Sequence, residues 1–286
     1  MALCTYNGEK YLSELIDSIL CQSVVPNEVV IVDDCSSDGT VRILKEYASQ
    51  YPVIKLSLQE KNSGPISSFE KAIQLTSSPY IFLADQDDIW HQNKIENMLS
   101  QSFGYTQEKP FLLYSDLGVI NEEGKLIHSS FWKMAALKPE VTTFKSMLFG
   151  NPVTGCASMI NSKMRELLVS IPQGIMMHDH WIALIAYGFG QAAFMPEPLV
   201  RYRVHSTSVT DKKQSNAWWK IKTQFFHFFD STNGFLEKEI KQVILFNQMF
   251  RKYLSKENQL QVDTFIGLKD KPLLERKLSS FLKYRP

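Results

Sequence analysis

Two rhythms of apolar and polar positions alternate over the first hundred residues. "ALCT" (Ala2 to Thr5), "EVVIVDD", "VIKLSL" and "PYIFLAD" are short apolar runs. The second is continuous and ends in acids, the pattern of a strand buried on both faces. Between the runs the period lengthens to that of a helix. Leu12, Leu15, Ile16, Ile19 and Leu20 share one helical face, and Val41, Leu44, Tyr47 and Ala48 share another, with Ser36, Ser37 or Asp38 available to cap it. Ser67 to Leu75 reads as a third helix. Asn93 to Phe103 reads as a fourth, its stripe formed by Ile95, Met98, Leu99 and Phe103. Strand and helix in strict alternation predict a parallel sheet covered by helices, with ligands beyond the carboxyl ends of the strands.

After about residue 110 the alternation loosens. "FLLYSD", "GCASMIN" and "EPLVRYRVH" look like strands, "VINEEGKLIHS" like a hairpin turning at Asn121 to Gly124, and "HDHWIALIAYGFG" like a helix. Beyond Asp211 the chain is mostly helical in pattern and rich in aromatics. The expected organisation is an α/β domain over residues 1–210 and a helical region over 211–286.

Composition narrows the class. The 286 residues are 44% apolar and 21% charged, enough for a substantial core, and the net charge of +1 excludes a nucleic-acid binder that works through bulk charge. Cys4, Cys21, Cys35 and Cys156 form no CxxC pair and no zinc spacing, and are expected to be reduced packing residues. The opening "MALCTYNGEK" lacks the pattern of a signal peptide, and no apolar stretch reaches the ~18 residues of a membrane span. A cytoplasmic protein, free or peripherally attached, is expected.

The candidate chemistry lies in acids at strand ends. Asp33 and Asp34 close the second strand, and a carboxylate there suits the ring N–H of a nucleobase. Asp85, Asp87 and Asp88 crowd the end of "PYIFLAD" in "LADQDDIW". Like charges so close are tolerable when a divalent cation neutralises them, and hard carboxylate oxygens suit Mg²⁺ or Mn²⁺ with substrate phosphates completing the shell. The plainer reading is a set of acids at a helix N-terminus, which is enough to explain Asp88. Asp179 in "MHDHW" fits either a helix cap or a general base. Trp181 fits either sugar stacking or the core. Arg201, Arg203 and His205 would point one way on a strand, offering cations to a leaving group and a further metal ligand, or simply a polar strand edge.

In order and spacing, "CTYNGEKYL", "VDDCSSDGT", "LADQDDIW", "HDHW" and "YRVH" resemble family 2 glycosyltransferases, above all bacterial rhamnosyltransferase-like members with "DQDDIW" and "HDWW"-type segments. The resemblance covers roughly residues 2 to 210. It implies a GT-A fold and transfer of a sugar, with inversion, from a dTDP- or UDP-sugar to a glycan or lipid-linked acceptor in cell-surface polysaccharide synthesis. It assigns Thr5, Tyr6, Asn7, Asp34, Asp85 and Arg203 to nucleotide-sugar binding, with Tyr6 against the base. It assigns Asp87, Asp85 and His205 to Mn²⁺ or Mg²⁺, Asp179 to the catalytic base, and Trp181 and Trp90 to sugar stacking. His180 departs from the aromatic residue that the resemblance favours. The alternatives are a sugar-nucleotide-binding protein without catalysis, and a glycoside hydrolase using paired carboxylates. The basic and aromatic segment "DKKQSNAWWKIKTQFFHFFD" either packs on the domain or contacts the inner face of the plasma membrane through residues 211–229.

Overall fold

The computed structural model describes residues 1–205, 236–272 and 275. Strands β1 (Ala2–Thr5), β2 (Val29–Asp33), β3 (Ile54–Leu58) and β4 (Tyr80–Asp85) pair in parallel in the order β3-β2-β1-β4. Helices α1 (Leu12–Leu20), α2 (Thr40–Gln50) and α3 (Pro65–Leu75) make the crossovers. After β4 come the two-residue strand β5 (Ile89–Trp90) and helix α4 (Lys94–Ser102).

The looser second half continues the same sheet with mixed polarity. Strand β6 (Phe111–Ile120) turns through β7 (Leu126–His128), and the Gly124 N–H donates to Asn121 O at 3.0 Å to close the predicted hairpin. Strand β8 (Ser158–Asn161) inserts antiparallel between β4 and β6, and β9 (Gln191–Arg203) runs parallel to β6 and antiparallel to β5. The complete path is β3-β2-β1-β4-β8-β6-β9-β5. Short helices α5 (Phe131–Met134), α6 (Phe144–Met147) and α7 (Ser162–Leu167) fill connections where no periodicity is visible, because four to six residues are too few to show one.

Alternating side chains build a core on each face of the sheet. On β4, Ile81 and Leu83 face one cluster and Phe82 and Ala84 the other. Two apolar expectations fail. Phe103 lies at the C-cap of α4 and is 82% exposed, because that helix buries Lys94, Ile95, Met98 and Ser102 instead. Of the four free cysteines only Cys156 is buried, while Cys21 and Cys35 are exposed.

Helix α8 (His178–Phe189) is buried along most of its length. Helices α9 (Glu237–Phe250) and α10 (Lys256–Ile266) pack on its outer side and on α6. Ile240, Val243, Phe246, Phe250, Val262 and Phe265 join the same cluster as Ile81, Leu83 and Trp181. Gly188 permits this approach, since a Cβ there would meet Phe144, Leu254 and Phe246 side chains at 3.1 to 3.2 Å. No described helix is long and apolar enough to cross a membrane. The segment 211–229 lies outside the described residues.

Phe246 is fully buried between Phe144, Trp181 and Phe250. Phe246→Ala is expected to destabilise the whole protein by about 3–5 kcal/mol in one cooperative transition. Denaturant unfolding followed separately in the far- and near-ultraviolet checks this. A separate transition for the C-terminal helices, with the rest unchanged, would contradict the shared core.

Candidate active site

The carboxyl ends of β1, β2 and β4 gather the first group of residues. The β1–α1 loop is tied down through its Tyr6, Asn7, Gly8 and Glu9 backbone N–H groups. The Gln86 side chain clamps Tyr6, accepting from its N–H at 2.8 Å and donating to its carbonyl at 3.0 Å. Asn7 takes a left-handed φ of 48°, donates its N–H to Ser36 Oγ, and accepts from the Ser37 N–H through Oδ1. Thr5 is buried and donates to Asp33 Oδ2 at 2.9 Å, so its hydroxyl holds β1 to β2 instead of facing a ligand. Tyr6 is 48% exposed.

The paired acids of β2 divide their work differently from expectation. Asp33 is buried, and its carboxylate accepts from the Ser36 N–H and hydroxyl, folding the loop over the strand end. Asp34, expected at a nucleobase, is 4% exposed, and its oxygens accept from Gln59 Nε2, the Ser63 N–H and the Gly64 N–H at 2.7 to 2.9 Å. Its carboxylate is committed to closing the 59–64 loop. None of the expected residues caps α2 through its side chain: Gly39 is the N-cap, and Asp38 accepts from Thr40 N–H and hydroxyl beside it.

The "DQDD" acids separate into two sets. Asp87 Oδ2 lies 2.7 Å from His205 Nε2, at the end of β9. Asp85, Asp88 and the Cys156 thiol offer ligand atoms within 4.8 Å of one another. Burial, then the charges of Asp87 and Asp179, push the Asp85 carboxyl up to about 7. Burial, then the charges of Asp87 and Asp85, push Asp88 well above the carboxylate range. Asp88 is fully buried; Oδ1 accepts from the Arg203 N–H at 3.0 Å, and Oδ2 has no partner among the described residues. A buried carboxylate oxygen left unpaired in a cluster of acids fits the presence of a divalent cation nearby.

Lys94 lies beneath this group, fully buried, donating to Cys156 O at 2.6 Å with its ammonium 3.3 Å from the centre of the Trp90 ring. Burial draws its pKa down to about 7 against the pull of Cys156, Asp88 and Asp85. Sequence reading passed over Lys94, yet one signal was there: it stands four residues before Met98, on the buried stripe of α4. Glu14 and Tyr11 were also missed, and nothing in their local pattern marks them.

Arg203 was expected to face a leaving group. It is instead 2% exposed, with Nε on Asp87 O at 2.9 Å, Nη1 on the carbonyls of Asn121 and Glu122, and Nη2 on Glu14. Its guanidinium also covers the Tyr11 ring at 4.5 Å. Arg203 therefore organises the ends of β4, β6 and β9, while Arg201, two residues earlier, is exposed. Trp181 and Trp90 are likewise core residues, 0% and 4% exposed. Trp181 packs against Phe246 and Phe250, Trp90 against Phe82 and Lys94.

Asp179 reaches the group from the first turn of α8, where Met177 is the N-cap. Burial pushes its carboxyl up to about 6, and the backbone N–H groups of His180 and Gly155 limit the rise. It remains ionised at neutral pH. His180 turns inward: Nε2 faces Met147 O at 2.8 Å and Nδ1 faces the Gln242 amide at 2.9 Å, so α8 is bolted to α6 and α9. The carbonyl partner makes Nε2 the protonated nitrogen.

The fold is that of the GT-A glycosyltransferases. It matches the Staphylococcus aureus TarS fragment crystallised with UDP at a TM-score of 0.58 and 20% identity, covering 97% of this chain and 86% of that one. It also matches the mannosyltransferase PcManGT from Pyrobaculum calidifontis in complex with GDP-Man and Mn²⁺, at 0.52 and 14%, covering 99% and 85%. Residues 2–102 match the family model "Glycosyl transferase family 2". The dTDP-rhamnosyl transferase RfbG of Shigella flexneri is 37% identical over 254 residues, spanning 84% of this chain and 83% of RfbG. TuaG of Bacillus subtilis, named for teichuronic acid biosynthesis, is 29% identical over 247 residues, spanning 82% and 91%. The chain belongs to glycosyltransferase family 2, which sets aside the hydrolase alternative.

Arg203→Met keeps the unbranched apolar stem of the side chain and removes five donors. It is expected to cost on the order of 3 kcal/mol, discounted from a fully buried pair because Glu14 is half exposed. Chemical denaturation checks this. A stability within 0.5 kcal/mol of wild type, about the scatter of a surface substitution, would return Arg203 to the role of a free phosphate ligand.

Proposed function

We propose that the protein is a metal-dependent, inverting glycosyltransferase that moves a deoxyhexose from a dTDP-sugar to a glycan or lipid-linked acceptor in cell-surface polysaccharide synthesis. One observation carries the catalytic part: the Gly155–Ala157 turn bridges Asp179, of α8, and the acids of β4, since a Cβ on Gly155 would lie 3.7 Å from Asp179 Cβ and the Cys156 thiol lies within 4.8 Å of Asp85 and Asp88 oxygens. A half-buried carboxylate that is ionised at neutral pH and adjacent to the acid cluster is what a general base beside a donor diphosphate requires. The likeness to RfbG, named a dTDP-rhamnosyl transferase, supports this donor. A UDP-sugar is the second choice, supported by the TarS complexes.

The chain's own groups divide the work as follows. Tyr6, clamped by Gln86, offers an aromatic surface to the base. Asp87 and His205, with Asp85 beside them, would hold Mn²⁺ or Mg²⁺, which supplies charge neutralisation for the departing diphosphate. Asp179 accepts the proton of the acceptor hydroxyl as that oxygen bonds to the anomeric carbon. The bond from that carbon to the diphosphate oxygen breaks, and its electron pair leaves with the nucleotide. Attack comes from the face opposite the nucleotide, so configuration inverts.

Asp87→Ala and Asp179→Asn should each lower transfer by at least about a thousandfold, in the range expected for losing an essential base or charge stabiliser. Isothermal titration with dTDP and Mn²⁺ separates them: Asp87→Ala loses the metal-dependent affinity and Asp179→Asn retains it. Equal loss of binding in both would reverse the assignment. Because the base acts ionised, kcat at saturating Mn²⁺ should rise with pH through about 6 and level off above it. A rate flat from pH 5 to 8 in wild type would remove Asp179 from the chemistry.

A further inference from the structure

Gly155 opens a single 3-10 turn, Gly155–Ala157, that sits between the two halves of the site. Its far side is anchored: Lys94 Nζ donates to Cys156 O at 2.6 Å, and the Ala157 N–H and Ser158 hydroxyl both donate to Thr154 O, at 3.1 and 2.8 Å. Its near side faces the start of α8, where a Cβ on Gly155 would lie 3.7 Å from Asp179 Cβ. Gly155 does not have a positive φ, so its backbone accepts any residue. The constraint is space. A Cβ on Gly155 would meet His178 Nε2 at 2.9 Å and Cε1 at 3.6 Å.

His178 has little freedom to yield. It is 2% exposed, and its ring lies flat on Phe69 of α3 with centroids 3.9 Å apart. Neither ring nitrogen has a hydrogen-bond partner among the described residues. No polar interaction in the described structure therefore explains an imidazole here. Its shape does, as a flat wedge between α3 and the turn.

We infer that Gly155 and His178 are positioning residues that interlock sterically to fix the Asp179 carboxylate against the donor side of the site. This rests on reading Asp179 as the base. The missing Cβ lets the turn close on the imidazole, and the imidazole stops it with Gly155 against the Asp179 side chain. Donor and metal groups at Tyr6, Asp87 and His205 lie outside the lock.

The test uses the full chain with Mn²⁺ and donor, comparing Gly155→Ala, His178→Ala and the double variant for kcat, donor KM and the Kd of nucleotide with Mn²⁺. Gly155→Ala should lower kcat by about tenfold to a hundredfold, the scale of a misplaced reacting group, while donor KM and nucleotide Kd stay within about threefold. His178→Ala alone should lower kcat in the same direction. In the double variant the added methyl gains room, so kcat should exceed that of Gly155→Ala, a non-additivity expected of touching residues. Three results would overturn the lock: unchanged kcat in Gly155→Ala, parallel loss of kcat and nucleotide affinity, or additive effects in the double variant. If Gly155→Ala does not fold by circular dichroism, His178→Ala decides: unchanged kcat there refutes the lock. Asp179→Asn runs alongside. If it retains transfer, the base assignment has failed; if it loses transfer while Gly155→Ala and His178→Ala do not, only the lock has failed.

Discussion

Everything at the strand ends depends on holding Asp85, Asp87 and Asp88 together. Three carboxylates within four residues repel one another, and burial makes the repulsion stronger. The fold answers with compensation from several directions. Lys94 stands below, the Arg203 N–H bonds Asp88, and the Arg203 guanidinium takes the Asp87 carbonyl. His205 meets the Asp87 side chain. The compensation is incomplete, since Asp85 and Asp88 keep raised pKa values and one Asp88 oxygen stays unpaired. On the proposed reading, a divalent cation would offset that residual deficit.

These compensating groups come from distant parts of the chain, and the second half of the sheet exists to deliver them. β8 joins β4 antiparallel and places the Gly155–Ala157 turn at its start, so Cys156 lies against the acids. β9 runs beside β6 for its full length and ends at Arg203 with His205 two residues on. α8 brings Asp179 in from the other side, held by His180 between α6 and α9. The C-terminal helices thus reach the chemistry indirectly, by fixing the helix that carries the carboxylate.

The parallel half of the fold was legible because β1, β2 and β4 are buried on both faces and its helices carry clear stripes. The second half was harder. Its helices α5, α6 and α7 are four to six residues long, and strand direction leaves no mark in apolar pattern. The candidate site stands out in the sequence as a set of acids, which have few reasons to crowd a strand end. It was illegible in who serves whom. Thr5, Asp34, Arg203, Trp90 and Trp181 are polar or aromatic residues in functional-looking segments, and each is spent on the protein itself. Asp88 and Lys94, by contrast, looked ordinary because a buried pair seen in one dimension is only two charges six residues apart.

Arg203 shows why this matters for chemistry. A guanidinium that is 2% exposed, with four of its five N–H donors on three carbonyls and a carboxylate, has little to offer a diphosphate without abandoning the strand ends it joins. Arg201 is exposed, but at the register of Ile89 on the edge pair of β5 and β9. On the proposed reading, the charge of a departing diphosphate must therefore be met by the cation at Asp85, Asp87 and His205 more than by arginine. A site so arranged places a heavy demand on the geometry of its acids, which returns the weight of catalysis to the cluster at the end of β4.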